Sequence, residues 1–351
     1  MKLPEQWSIV VVGAGSFGSA LASLLAENDH HVTLVARNQN VVEEINNNQQ
    51  NSRYLPGVQL SDKLRAVQDT KVVNEADLVL LTVPSHAMRS TCKSIKDHLP
   101  SDVYVVHATK GLEVNTLKRM SEVIHDELPH VSINHLAVLS GPSHAEEVSR
   151  GLPTTIVAAS ISQTTAELVQ DLFMGRNLRV YTNPDITGVE LGGSLKNIIA
   201  LGCGISDGLQ FGDNAKAALL TRGLVEITRL GLSMGASFST FSGLTGIGDL
   251  IVTGTSKHSR NWQAGYLLGQ GFSVEAAIAK VGMVVEGIKT TQAAVRLAEQ
   301  YAVQMPIAST IYQILFEGQN PKLAVEELMG RSRRHEVEEF IQESTLNWQN
   351  L

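Results

Sequence analysis

The sequence predicts an α/β protein: a doubly wound parallel sheet in the N-terminal half, followed by an all-α C-terminal half. Three observations carry that reading. The first half alternates short apolar runs with amphipathic stretches. The first apolar run ends in the glycine-rich segment Gly13-Ala14-Gly15-Ser16-Phe17-Gly18. From about Glu190 onward helical periodicity takes over and strand candidates become few.

In order along the chain, residues 8–12 read as a strand, 16–28 as a helix and 31–36 as the next strand. Residues 78–83, 103–107 and 136–140 are strand-like as well. Most of these runs are rich in Val, Ile or Leu without polar alternation, as expected for strands covered on both faces. Residues 154–160 and 178–182 would extend the sheet at its edge. Helices are expected over 190–205, 216–232, 262–269, 274–281, 290–301, 306–316 and 321–328. This gives a dinucleotide-binding domain over 1–189 and an all-α substrate domain over 190–351. A chain of 351 residues is long enough for two cores. With no flexible linker between them, the domains should pack rigidly around a ligand cleft.

Composition narrows the function classes. The chain is 43% hydrophobic and 18% charged, an ordinary globular balance. Its 28 basic and 35 acidic residues leave a net charge of −7, with no long basic block. Nucleic-acid and membrane-surface binding are therefore not expected, and an anionic ligand must be met by locally gathered cations. Cys92 and Cys203 form neither a disulfide framework nor a zinc pattern, which suits a reducing compartment. None of the eleven histidines falls in a two-histidine helical metal motif, so no metal is expected. The N-terminus lacks signal-peptide character, and no run nears the ~18 apolar residues of a membrane span. The expectation is a cytoplasmic protein with no stable membrane insertion.

The glycine segment sits between the first strand and the first helix, the context that gives this motif its meaning. Gly13 would allow the tight turn, Gly15 the approach of a pyrophosphate, and Gly18 close helix–sheet packing. A glycine-rich turn of another α/β fold is the alternative. The Asp or Glu that normally clasps the ribose of NAD(H) is missing, since positions 30–42 hold no acid. The second strand ends instead in Arg37-Asn38. Arg37 could pair with a 2′-phosphate, so NADP(H) should be accepted and preferred to NAD(H); the alternative is a solvated loop arginine.

Lys196 lies inside the long, nearly uncharged helical run 190–204. Its ammonium must reach water along its apolar stem, find an anion, or lose its proton more easily than usual. The last two options suit proton exchange with a substrate oxygen.

Several segments then line up in order: Val83-Pro84-Ser85-His86, Ala108-Thr109-Lys110-Gly111-Leu112-Glu113 and Ser140-Gly141-Pro142-Ser143-His144-Ala145. The Lys196-Asn197 helix, Ile205-Ser206-Asp207-Gly208 and Gly212-Asp213-Asn214-Ala215-Lys216 come next. Gly246-Ile247-Gly248-Asp249-Leu250, Ser259-Arg260-Asn261 and Val285-Glu286-Gly287 complete the set. From Ile9 to Arg333 the chain resembles the bacterial-type NAD(P)-dependent glycerol-3-phosphate dehydrogenases. One departure is Ser194, where that family usually has Ala or Thr. The resemblance implies a Rossmann-type N-terminal domain and 6-phosphogluconate-dehydrogenase-like C-terminal helices, with the site between them. It implies reduction of dihydroxyacetone phosphate to sn-glycerol 3-phosphate with NADP(H) or NAD(H), supply of glycerophospholipid synthesis, and a homodimer. Ser16, Phe17, Arg37, Tyr54, Lys110, Ala145, Arg260, Val284 and Glu286 would neighbour the cofactor. Lys110, Gly141, Ser143, Lys196, Asn197, Asp249, Ser259, Arg260 and Asn261 would contact the substrate.

Residue chemistry agrees with those roles. Hydride delivery to a carbonyl carbon builds negative charge on its oxygen, which a positioned ammonium stabilises and protonates, a step worth ~10²–10⁴-fold. Lys196 would do this as catalytic acid/base, with the like charge of Lys110 lowering its pKa. Asp249 would orient the ammonium, or alternatively cap a helix. Arg260 between Ser259 and Asn261 offers donors for a phosphate, or alternatively forms a surface loop. Two rivals stay open: a two-domain dehydrogenase of β-hydroxy acids or ketopantoate-like substrates, and a nucleotide-binding sensor of NADPH. The set Lys196, Lys110 and Asp249 argues against the sensor, which needs no proton donor. His30-His31 reads as a solvated turn, Met283 and Cys203 as core, and the basic run from Arg331 to His335 as a solvated tail.

Overall fold

A computed structural model describes residues 6–332. They form one eight-stranded sheet: β1 (Ser8–Val12), β2 (His31–Val35), β3 (Arg65–Val67), β4 (Leu78–Leu81), β5 (Tyr104–His107), β6 (Leu136–Ser140), β7 (Thr154–Ala159) and β8 (Leu178–Asn183). The spatial order is β3-β2-β1-β4-β5-β6-β7-β8. Between them run α1 (Ser16–Glu27), α2 (Gln39–Asn48), α3 (Met88–Ile95), α4 (Met120–Glu127), α5 (Ala145–Val148) and α6 (Gln163–Phe173).

The strands lack polar alternation because both faces are covered. Ile9 and Val11 of β1 pack into one core with Leu34, Leu78 and Leu80. Val10 and Val12 pack into another with Val35, Val79 and Leu81. All pairings from β3 to β6 are parallel. The outer pair departs from the expected parallel sheet: β7 runs antiparallel to β6, and β8 is parallel to β7. The β6–β7 connection holds only the one-turn helix α5, so the chain turns back instead of crossing over.

The C-terminal half is helical: α7 (Ile186–Gly208), α8 (Asp213–Ser233), α9 (Phe238–Phe241), α10 (Asp249–Thr255), α11 (Arg260–Gly269), α12 (Val274–Val281), α13 (Glu286–Gln300), α14 (Pro306–Phe316) and α15 (Pro321–Met329). A π-helical turn, Leu244–Gly248, leads directly into α10. Helix α7 starts earlier than its apolar run suggests, because Asp185 caps it by accepting from the Gly188 N–H at 2.8 Å. From Gly188 to Ser206 this helix is buried. It meets α11 along a glycine seam: a methyl on Gly204 would strike the Trp262 carbonyl, and one on Gly265 the Leu201 carbonyl. Gly208 and Gly269 face each other one turn further along.

Met283 is not core: it lies 38% exposed in the turn before α13. His31 is exposed, but His30 is half-buried, and burial lowers its pKa. Arg331 is exposed, while Arg333, Arg334 and His335 lie outside the described residues. Cys203 is fully buried, as expected. Among the described residues no helix is long and apolar enough to cross a membrane.

Candidate active site

The carboxyl ends of the parallel strands bring the motif segments to one edge, where open α/β sheets bind ligands. After β1, Gly13 takes φ +120°, a conformation L side chains rarely adopt, and its carbonyl accepts from Thr82 Oγ1 at 2.8 Å. A methyl on Gly18 would collide with that same carbonyl, so the glycine is what lets α1 approach the turn. Around Gly15 an added Cβ would meet no atom within 4 Å. No side chain caps α1, and its first turn carries no acid. Open space at Gly15 and an uncapped helix N-terminus fit a pyrophosphate.

Other expected cofactor residues gather nearby. Ser16 Oγ donates to the Tyr54 carbonyl at 2.7 Å, drawing that loop onto the glycine turn. Phe17 packs at the edge of the core below. Arg37, after β2, is exposed, with its carbonyl held by Gln68 at 2.8 Å. Ala145 opens α5 and is buried. Glu286, at the start of α13, accepts from the Ser85 N–H at 3.1 Å and its hydroxyl at 2.7 Å, bridging the two halves. Val284 is 37% exposed, and its carbonyl accepts from Arg260 Nη1 at 3.3 Å.

Beside this edge lies the charged cluster. Lys196 Nζ donates to Asp249 Oδ1 and, at 2.6 Å, to Thr253 Oγ1. Lys110 Nζ donates to Asp249 Oδ2 at 2.9 Å and to the Gly141 carbonyl at 2.9 Å. One carboxylate thus serves two ammoniums, and the set carries excess positive charge. The Lys196 and Asp249 side chains are 5% and 1% exposed, against 20% for Lys110. Burial pulls the Lys196 pKa down to about 7; Asp249 opposes that shift and Lys110 adds to it. Burial pushes Asp249 up, but the two ammoniums outweigh it and hold the carboxyl below its ordinary value.

The expected substrate contacts are placed less evenly. Gly141 takes φ +125°, and its carbonyl also accepts from Ser143 Oγ at 3.0 Å. Ser259 is buried and caps α11, accepting from the Trp262 N–H at 3.2 Å. Asn261 is buried too: its amide donates to Asn197 Oδ1 at 2.9 Å and accepts from the Gly287 N–H at 2.9 Å. Of Ser259, Arg260 and Asn261, only Arg260 is exposed. Ser85 and Glu190 stand in the sequence segments quoted above but were given no role, and Thr253 was not singled out at all. The only signal for Thr253 was its place one helical turn after Asp249.

Two family models match the chain. The N-terminus of NAD-dependent glycerol-3-phosphate dehydrogenase matches residues 8–166, and its C-terminus matches residues 185–326. The chain belongs to the NAD-dependent glycerol-3-phosphate dehydrogenase family. It is accordingly an NAD(P)-linked oxidoreductase. A glycerol-3-phosphate dehydrogenase (NAD(P)+) of Bacillus cereus is 54% identical over 331 residues, covering 94% of this chain and 97% of the relative. The solved glycerol-3-phosphate dehydrogenase of Coxiella burnetii superposes with a TM-score of 0.89 at 38% identity, covering 93% of this chain and all of that one. A ketopantoate reductase of Ralstonia eutropha shares the fold alone, at 16% identity and a TM-score of 0.58, covering 92% of this chain and 99% of that one.

Proposed function

We propose that the protein reduces dihydroxyacetone phosphate to sn-glycerol 3-phosphate with NAD(P)H, using the lysine pair that shares Asp249. That shared carboxylate at the dinucleotide edge is the observation that carries the reading. The glycine turn would hold the pyrophosphate of the dinucleotide, whose reduced nicotinamide would supply the hydride. Lys196 holds the proton at Nζ and gives it to the carbonyl oxygen as charge develops there; its lowered pKa suits an acid working near neutrality. Asp249 keeps both ammoniums in place, and Lys110 adds positive charge beside the developing oxyanion. Arg260 meets the substrate phosphate, with Ser259 and Asn261 building the helix start that presents it. Arg37, with no acid nearby in sequence, favours NADP(H) over NAD(H).

In this reading residues 1–189 bind the dinucleotide and 190–351 complete the catalytic centre. The protein works in the cytoplasm as a homodimer, and its product feeds glycerophospholipid synthesis. The test is loss of reduced-nicotinamide absorbance with dihydroxyacetone phosphate, comparing wild type with Lys196→Ala. Wild-type turnover with the variant down by ~10²-fold or more is expected. A wild type that turns over carboxylate substrates but not this phosphate would overturn the proposal.

A further inference from the structure

Another buried carboxylate lies on the lysine-bearing helix itself. Glu190, on α7, has a side chain only 2% exposed. Its Oε2 accepts from Arg119 Nη1 and Ser121 Oγ, each at 2.6 Å. Its Oε1 accepts from the Ser121 N–H at 2.7 Å and lies 3.1 Å from Nε2 of the fully buried His107. Burial alone would raise its pKa; His107, Arg119 and Ser121 outweigh burial and hold the carboxyl at about 2. Arg119 is shared with Glu122 at 3.2 Å.

The partners matter for where they lead. His107 ends β5, three residues before Lys110. Arg119 and Ser121 form the start of α4. Within one turn past Glu190, α7 passes between the Lys110 stem and the turn that leads into Asp249. A methyl on Gly193 would lie 2.6 Å from Ser140 Oγ and 3.6 Å from Lys110 Cγ, so α7 rests against the Lys110 stem. A methyl on Gly192 would lie 2.6 Å from the carbonyl of Thr245, in the π-helical turn that delivers Asp249. Sliding or rotating α7 would therefore shift Lys196 against both its partners.

Stability is a weak reason for such a group, because well-packed apolar residues often replace buried ion clusters without loss. We propose that Glu190 is a positioning residue: by pinning α7 to β5 and α4, it sets the register in which Lys196 meets Asp249 and Lys110. This rests on the proposed role of Lys196. Catalysis is sensitive to such registers, since a displacement of ~1 Å can lower a rate by ~10²-fold.

The experiment compares Glu190→Gln and Ser121→Ala with wild type and Lys196→Ala, measuring kcat, both KM values, melting temperature and the pH profile of kcat/KM. Glu190→Gln is expected to lose ~10-fold or more in kcat while its NADPH KM stays within about twofold. Its alkaline limb should move to lower pH. Lys196 is faced by Asp249 from α10, by Lys110 beyond β5 and by His144 before α5. Asp249 is the one of these that raises its pKa, so a looser register weakens that pull. Ser121→Ala keeps the charge and should show the same pattern more weakly, which covers the case of a Glu190→Gln that fails to fold. A lower melting temperature with kcat and the alkaline limb unmoved in a folded variant would overturn the proposal, leaving Glu190 a purely structural staple. If Lys196→Ala retained wild-type turnover, the acid assignment itself would fail. An inactive Lys196→Ala beside a fully active Glu190→Gln would sink the positioning role alone.

Discussion

Asp249 and Glu226 are both buried carboxylates, one opening a helix and the other facing the start of one, yet their pKa values move in opposite directions. Asp249 opens α10 and accepts from two lysine ammoniums. Glu226, on α8, accepts from the Ile307 N–H at 2.7 Å and the Ala308 N–H at 3.2 Å, at the start of α14. Burial raises both; cations in direct contact pull Asp249 below its ordinary value, whereas Glu226 rises to about 7 despite its two N–H donors and the charges of Arg229 and Arg331. Burial therefore does not decide what a carboxylate does. Two ammoniums in contact turn Asp249 into a charge anchor, while backbone donors and weaker cation charges leave Glu226 a cap that tolerates protonation.

The largest test of that contrast is Asp249→Asn, which keeps the shape and removes the charge. Turnover should fall by at least ~10²-fold, and the alkaline limb should move down because the Lys196 ammonium loses its counter-ion. A loss under ~3-fold with an unmoved limb would mean that the carboxylate anchors nothing catalytic. Arg260→Ala comes next and separates charge used for proton transfer from charge used for binding. The KM for dihydroxyacetone phosphate should rise ~10–100-fold, the range of a lost charged hydrogen bond, and that of the cofactor far less. Equal losses for both ligands would remove Arg260 from the phosphate. Glu226→Gln is the smallest. A carboxyl whose folded pKa lies above its ordinary 4.5 contributes stability that is complete below pH 4.5 and lost as pH rises through about 7. The wild-type melting temperature should therefore fall across that window relative to the Gln variant, by a free energy of at most about 3 kcal/mol. Parallel melting curves at all pH values would show that Glu226 ionises as freely as an exposed carboxyl.

Much of this arrangement was legible in the chain. The apolar strands follow their runs because both faces are covered, and α12 and α14 begin and end where their hydrophobic periods place them, whereas α7 and α8 start earlier than their apolar runs suggest. Strand β3 was missed: three residues starting with Arg65 carry no period. The direction of β7 was equally hidden, since a strand's own pattern does not encode its partner's orientation. In the site, Lys196 could be read because a charge in an apolar helix needs an explanation, whereas Lys110 and Asp249 came only with the resemblance to the dehydrogenase family. Thr253 could not, because α10 is only seven residues long and too short for a period to stand out. Nor could the sequence tell that Ser259 and Asn261 turn their side chains inward while Arg260 stays exposed.

The glycine seam between α7 and α11 has a metrical consequence. Helix α7 carries Lys196 and α11 opens at Arg260, so the spacing between these two cations is set where Gly204 and Gly265 let backbone touch backbone. A gauge made of main chain cannot be retuned by exchanging one side chain for a neighbouring size. Any larger residue at the seam would lengthen it at once, and with it the carbon chain that could stretch from phosphate to carbonyl. On the proposed roles, the three-carbon reach of the substrate is written in the contact distance of two helices.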